Sequence, residues 1–485
     1  MRAGGRVAKI LVGSLKKEFV KYMSAILKFH IVRIVVVMSV APLLFSCATK
    51  VPRSIDLMPA PDVYSDEGIT PFTDTTNIAD APYHGMLYAT DRAPADPRNS
   101  KDPEEKFYAN QRGHLLRLGI ADIELGKGDI TWEEARRIAL AKNRSDNYPL
   151  KVVGAEEFGI LDRSFHPFVD KELLAKKSHE PAKRFAALIN NKLAISKQKD
   201  IFIYVHGYLV VFENPVLVAT ELWHYLGYEG VFIAYAWPST PNRWAYLSDA
   251  ETTTTTAAQL RKFLEYLAEE TNVERIHIIG YSQGTRLVIQ TLYNMALMNH
   301  DKSRQEILKK LRIGNVILVG SDIDRQAMGT YLADGLLNVP EHLNIYVSEK
   351  DKAMKASKFL LKRKRVGEMF AHGEMPPSAM EFLSSTPELR VIDVTEAEGA
   401  ASGSGHGYFR SSPWASSDIL MTLRYDLAPD ERGLVRNDDI PIWSFPPDYI
   451  TRLREAIVKV NPELGEILRK QENAEGKEKN NSMEQ

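Results

Sequence analysis

From residue 201 onward the chain alternates short unbroken apolar runs with longer segments in which apolar residues recur every three or four positions. The runs cover 201–205, 231–236, 276–279, 316–319, 343–347 and 389–394. The longer segments cover 216–226, 253–269, 285–298 and 327–337, with another after Asp351. A strand that is apolar at every position is buried on both faces, so the alternation predicts an α/β fold with a mostly parallel central sheet flanked by helices. Upstream, 86–90 is a short β-rich run, a pair of short runs between Phe107 and Leu125 reads as edge strands, and 132–142 and 185–195 read as helices. The stretch from 143 to 184 carries no assignable period, and no internal repeat is present.

The N-terminal part has a different texture. Lys28 and Arg33 precede an apolar segment, 34–46, that Pro42 interrupts and that is too short for a comfortable membrane span. This is the layout of a secretory signal over residues 1–46, with Met23 as an alternative start. The signal ends in Leu44-Phe45-Ser46-Cys47, and Cys47 is the sole cysteine of the 485 residues, so no intramolecular disulfide can form. Residues 47–82 are rich in Pro, Asp and Thr and read as a tether, residues 83–470 as the folded domain with an N-terminal extension, and the polar tail 471–485 as disordered. The net charge of −1 and the lack of a basic stripe argue against a nucleic-acid partner. Nothing in the chain calls for a metal or a cofactor.

The pentapeptide Gly280-Tyr281-Ser282-Gln283-Gly284 sits between the run 276–279 and the helical segment 285–298. A strand that turns sharply into a helix strains its corner residue and exposes it, and small flanking residues make room for the turn. Ser282 is therefore the candidate nucleophile. The backbone N–H of Gln283, at the helix start, is a candidate oxyanion donor.

A serine nucleophile needs a base and an acid, and in this fold class they follow it in the order acid, then histidine. Asp351 lies just after the run 343–347, and His406 lies in the glycine-rich stretch 403–408 beyond the last run. His406 is the expected base and Asp351 the residue that orients it. His372 is the alternative base, and Asp322 or Asp324 the alternative acid unless they cap the helix that follows. Asp393 reads as structural. After the first strong strand comes His206-Gly207-Tyr208, where Gly207 lets the backbone turn inward. The Tyr208 N–H is the expected second oxyanion donor, with Leu209 next and His206 as a buttress.

The pieces Tyr88-Ala89-Thr90-Asp91-Arg92, Val205-His206-Gly207-Tyr208, Trp237-Pro238-Ser239, the Gly280–Gly284 elbow, Asp322-Ile323-Asp324, Ser348 to Asp351 and Gly405-His406-Gly407-Tyr408 together resemble a bacterial α/β-hydrolase family of unknown function, esterase- or lipase-like. The chain departs from that pattern at Leu209, where Asn is usual, and at Tyr281, where His is usual. The resemblance implies the hydrolase fold and a serine–acid–histidine set, but no substrate. Separately, Leu44 to Cys47 resembles a bacterial lipobox. That implies lipidation of Cys47 and a membrane anchor in the cell envelope, and Ala48 after it implies the outer membrane. The expected activity is cleavage of a small-molecule or lipid carboxylic ester through an acyl-enzyme. Acyl transfer, amide hydrolysis or a non-catalytic scaffold role are the alternatives.

Overall fold

A computed structural model describes residues 51–64, 84–96, 105–128, 130–141, 144, 146–368, 375–436 and 440–460. The predicted signal segment, Cys47, most of the predicted tether, the tail 471–485 and His372 lie outside the described residues.

The strands are β1 (Ser54–Asp56), β2 (His84–Pro94), β3 (Tyr108–Leu125), β4 (Pro149–Ile160), β5 (Asp200–Val205) and β6 (Val231–Tyr235). They continue as β7 (Arg275–Tyr281), β8 (Ile313–Val319), β9 (His342–Val347), β10 (Leu389–Asp393), β11 (Val435–Arg436) and β12 (Trp443–Ser444). They form one sheet in the order β1-β4-β3-β2-β6-β5-β7-β8-β9-β10-β12-β11. Pairing is parallel from β2 through β12 and antiparallel at the two margins.

The continuous apolar runs are explained by what covers them. Along β5, Phe202 and Tyr204 pack into one core with the helices Glu213–Tyr225 and Pro413–Tyr425. Ile201, Ile203 and Val205 point the other way, into a second core with the helices Glu180–Ile195, Tyr246–Glu270 and Gly284–Met298. Alternate side chains of one strand thus feed two cores, so neither face of the strand can be polar.

Four expectations are corrected. The two short edge strands before Leu125 are one interior strand, β3, held between β2 and β4; the left-handed backbone of His114 (φ 61°) kinks it and breaks its pattern in two. The unassignable stretch contains β4, whose residues are mostly half-exposed and so show no clean alternation. Part of the predicted tether is built into the domain: β1 pairs antiparallel with β4, and Ile55, Leu57, Met58, Ala60, Val63 and Tyr64 are buried in the first core. The prolines and aspartates that masked this segment sit among buried residues, and Asp62 is itself buried. The helix expected from 253 begins earlier, at Tyr246.

Candidate active site

The candidate residues follow the carboxyl ends of adjacent parallel strands, where the loops of an open α/β sheet converge. Ser282 follows β7, which lies between β5 and β8. Its φ is +53°, a left-handed conformation that costs a side-chain-bearing residue about 1–3 kcal/mol. Three hydrogen bonds hold it there. The Ser282 N–H donates to Val319 O at 2.8 Å, while Ser282 O accepts from the Thr285 N–H at 3.0 Å and the Thr285 hydroxyl at 2.6 Å. Gly284 permits the turn to sit deep, because a Cβ at that position would come within 2.2 Å of His206 O.

Asp351 and His406 meet. His406 Nδ1 lies 2.7 Å from Asp351 Oδ2, and the other carboxylate oxygen accepts the Met354 N–H at 2.9 Å, so Asp351 both caps the helix Lys352–Leu361 and orients the imidazole. Asp351 is buried and His406 nearly so. The two loops also join by backbone, with the Lys352 N–H donating to Ser404 O at 3.0 Å. Gly403 and Gly405 adopt φ values of +60° and +67°, which the tight turn before His406 requires.

The loop after β5 holds a feature that sequence reasoning missed. Its left-handed residue is Leu209 (φ 63°) and not Gly207; Gly207 instead provides close approach, since a Cβ there would lie 2.9 Å from Ser282 Cβ. The loop is tied down one residue later. The Val210 N–H donates to Ser239 Oγ at 3.2 Å, and Val210 O accepts from Ser239 Oγ at 2.9 Å and from Arg92 Nη2 at 3.0 Å. Arg92 is fully buried at the end of β2, and its Nη1 reaches Asn110 Oδ1 at 2.8 Å and Ser239 O at 3.3 Å. Burial lowers its pKa to about 10, against the pull of Glu213, Asp91 and Asp249. The signal for this role was a buried-strand pattern ending in an arginine, one of the pieces that carried the family resemblance. Among the described residues, the amides of Tyr208, Leu209 and Gln283 are not hydrogen-bonded. These are the donors expected for an oxyanion, with Tyr208 and Leu209 both left open.

The other candidates have structural partners. Asp324 caps the helix Arg325–Ala333 through the amides of Gln326 and Ala327. Asp322 is buried and bound by Arg286 at 2.9 Å, Tyr246 at 2.6 Å and Ser357 at 2.5 Å, a network that braces the helix behind Ser282 and does not include His406. Asp393 accepts the Thr395 N–H at the end of β10. His206 is fully buried, stacks on Trp237 at 5.1 Å and sets its ring nitrogens against Gly207 O and Trp237 O. Burial, then the Arg92 charge, push its pKa well below the usual histidine range.

Ser282 and His406 share a cavity of about 720 Å³. Its wall includes Tyr208 and Leu209 from the loop after β5 and Tyr281 beside Ser282. The Tyr281 ring lies 4.9 Å from both the His406 and Phe409 rings, and burial raises the pKa of its hydroxyl, so it packs as a neutral aromatic. Among the described residues no cluster of His, Cys, Asp and Glu is arranged to hold a metal ion, and no helix is long and apolar enough to cross a membrane.

A mostly parallel sheet with covered faces, and a strained serine at the strand-to-helix turn beside an Asp–His pair, define an α/β hydrolase. The chain belongs to the family described as alpha/beta hydrolase of unknown function (DUF900), which it matches over residues 182–424. Among solved structures, a protein described as a proposed cell surface hydrolase from Lactobacillus plantarum aligns with 12% identity and a TM-score of 0.26, over 48% of this chain and 93% of that one. No curated protein matches the chain significantly.

Proposed function

We propose that the protein is a serine hydrolase of carboxylic esters. The observation that carries this reading is the 2.7 Å contact of His406 Nδ1 with Asp351, in a cavity that His406 shares with the left-handed Ser282. With Nδ1–H donated to the carboxylate, His406 Nε2 is left unprotonated and able to accept the Ser282 hydroxyl proton. The serine oxygen then bonds to the acyl carbon. The carbonyl oxygen becomes an oxyanion that receives hydrogen bonds from the Gln283 amide and from Tyr208 or Leu209, each donor contributing about 3 kcal/mol to the transition state. Collapse breaks the bond to the alcohol, whose oxygen takes the proton from His406. Water, deprotonated by the same imidazole, attacks the acyl-serine and releases the acid.

A fluorophosphonate should label the purified protein at Ser282, and Ser282→Ala should abolish labelling; a mutant that labels as fast as the wild type would sink the assignment. Loss of the nucleophile should also lower ester turnover by roughly 10⁴-fold or more.

The location follows from a separate proposal. Lipidation of Cys47 anchors the protein in the cell envelope, at the outer membrane in a host that has two membranes, and the sequence Leu44-Phe45-Ser46-Cys47 supports it. Metabolic labelling with palmitate should mark the wild type and spare Cys47→Ser.

A further inference from the structure

We propose that the strap Asp56–Pro59 is the wall against which the substrate's acyl chain lies, and that the site therefore takes esters of apolar acids. This rests on the serine-hydrolase reading and goes beyond it by naming the substrate class and the residues that select it.

The strap lines the Ser282 cavity, yet it lies far from the serine in sequence. Much of its backbone is occupied elsewhere. The Leu57 N–H donates to Tyr148 O at 3.2 Å, and the Met58 N–H donates to the Glu221 carboxylate. Arg144 donates to Leu57 O at 2.8 Å and to Met58 O at 2.7 Å, and Arg410 Nη2 donates to Asp56 O at 3.0 Å. With these backbone groups paired, the strap can stand against an apolar chain without stranding a backbone donor or acceptor; its exposed residues are Asp56, whose carboxylate is the polar end of the wall, and Pro59, while Leu57 and Met58 are nearly buried behind it. Leu57, Met58 and Pro59 make one apolar stretch of the lining, and Val218, Tyr204 and Phe409 add to it. Tyr204 stacks on Phe409 at 6.0 Å, and Phe409 touches Tyr281 next to the nucleophile, so the aromatic lining is continuous to Ser282.

One buried carboxylate fixes the arrangement. Glu221, fully buried on the helix Glu213–Tyr225, pairs with Arg410 at 2.6 Å, and Arg410 lies four residues beyond His406. The strap, the helix carrying Val218 and the segment carrying the base are thus joined at a single ion pair. A chain bound in this space gains about 0.8 kcal/mol for each methylene removed from water, which makes its length a selected property.

The test uses the full-length protein and phosphonofluoridates with straight alkyl chains, from methyl to dodecyl, on phosphorus. Labelling rate does not depend on the natural leaving group, so the acyl side is read alone. The wild type should label faster as the chain lengthens, up to a limit. Pro59→Trp, which enlarges the exposed apolar residue of the strap, should slow the long-chain probes about 10-fold or more relative to the methyl probe. Met58→Ala should shift the preference toward longer chains. If Pro59→Trp does not fold, as judged by circular dichroism, Asn214→Trp narrows the same cavity from the helix Glu213–Tyr225 and carries the same expectation. Labelling that ignores chain length, or a substitution that slows every probe by one factor, overturns this inference and leaves the hydrolase reading standing. Absence of Ser282-dependent labelling overturns both.

Discussion

Asp351 and His406 meet in a 2.7 Å side-chain contact, and the backbone bond between Lys352 and Ser404 ties their two loops together beside it. The imidazole therefore has little freedom to turn, and its tautomer is set by the carboxylate. Asp351→Asn keeps the shape and the helix cap but can offer its NH₂ to Nδ1, which moves the ring proton to Nε2. Turnover of a p-nitrophenyl ester should fall by roughly 10³–10⁴-fold while the thermal midpoint changes little. Retained activity in that variant would show that Asp351 only caps its helix.

Gly320 lies against the other side of the imidazole. Its φ is +55°, and a Cβ would stand 2.6 Å from His406 Cε1. Gly320→Ala should displace the ring and lower kcat about 10²-fold, because an error of that size in the position of a base is costly. A crystal structure of the variant would show the displaced imidazole.

Arg92 bears on the oxyanion loop without reaching the reacting atoms. Arg92→Met removes the donor to Val210 O and leaves buried acceptors unsatisfied, at a cost of about 3 kcal/mol in urea denaturation. Since the loop also positions the Tyr208 and Leu209 amides, kcat should drop more than KM rises. An unchanged kcat would confine Arg92 to a structural role.

Asp91 makes stability depend on pH. Burial raises its pKa from 3.8 to about 6, against the hydrogen bond from Thr256, and one carboxylate oxygen has no partner. Between about pH 4 and 6 the folded state holds a proton that the unfolded chain has lost, so its stabilising effect is complete below pH 4 and gone above pH 6. The difference is about 3 kcal/mol as an order of magnitude. Asp91→Asn should match the wild type near pH 4 and exceed it at pH 8 in urea melts. Parallel curves for the two proteins would refute the assignment.

The parallel strands were legible because they are buried on both faces, and burial on both faces leaves nothing to interrupt an apolar run. Ser282, Asp351 and His406 were legible as candidates because the order of strands and loops leaves few places for each along the chain. The choice between Asp351 and Asp322 needed coordinates, since both follow strands in the same sheet and only their side-chain partners differ. Arg92 and the strap were hidden for a shared reason. Arg92 holds the backbone carbonyl of a distant residue, the strap's own carbonyls are held by Arg144 and Arg410, and a backbone carbonyl leaves no mark on the sequence.

The strap is held by groups far down the chain. Arg410 donates to Asp56 O, a pair 354 residues apart, and the Met58 N–H donates to the Glu221 carboxylate, 163 residues away. Contacts of such high contact order form only after the intervening chain has collapsed, because the entropy of closing the loop precedes any gain from the contact. The cavity wall that emerges first from the ribosome is thus completed last. A refolding chain should regain its sheet before it regains Ser282-dependent labelling by a fluorophosphonate, with an interval in which the elbow serine exists but the site beside it is still open.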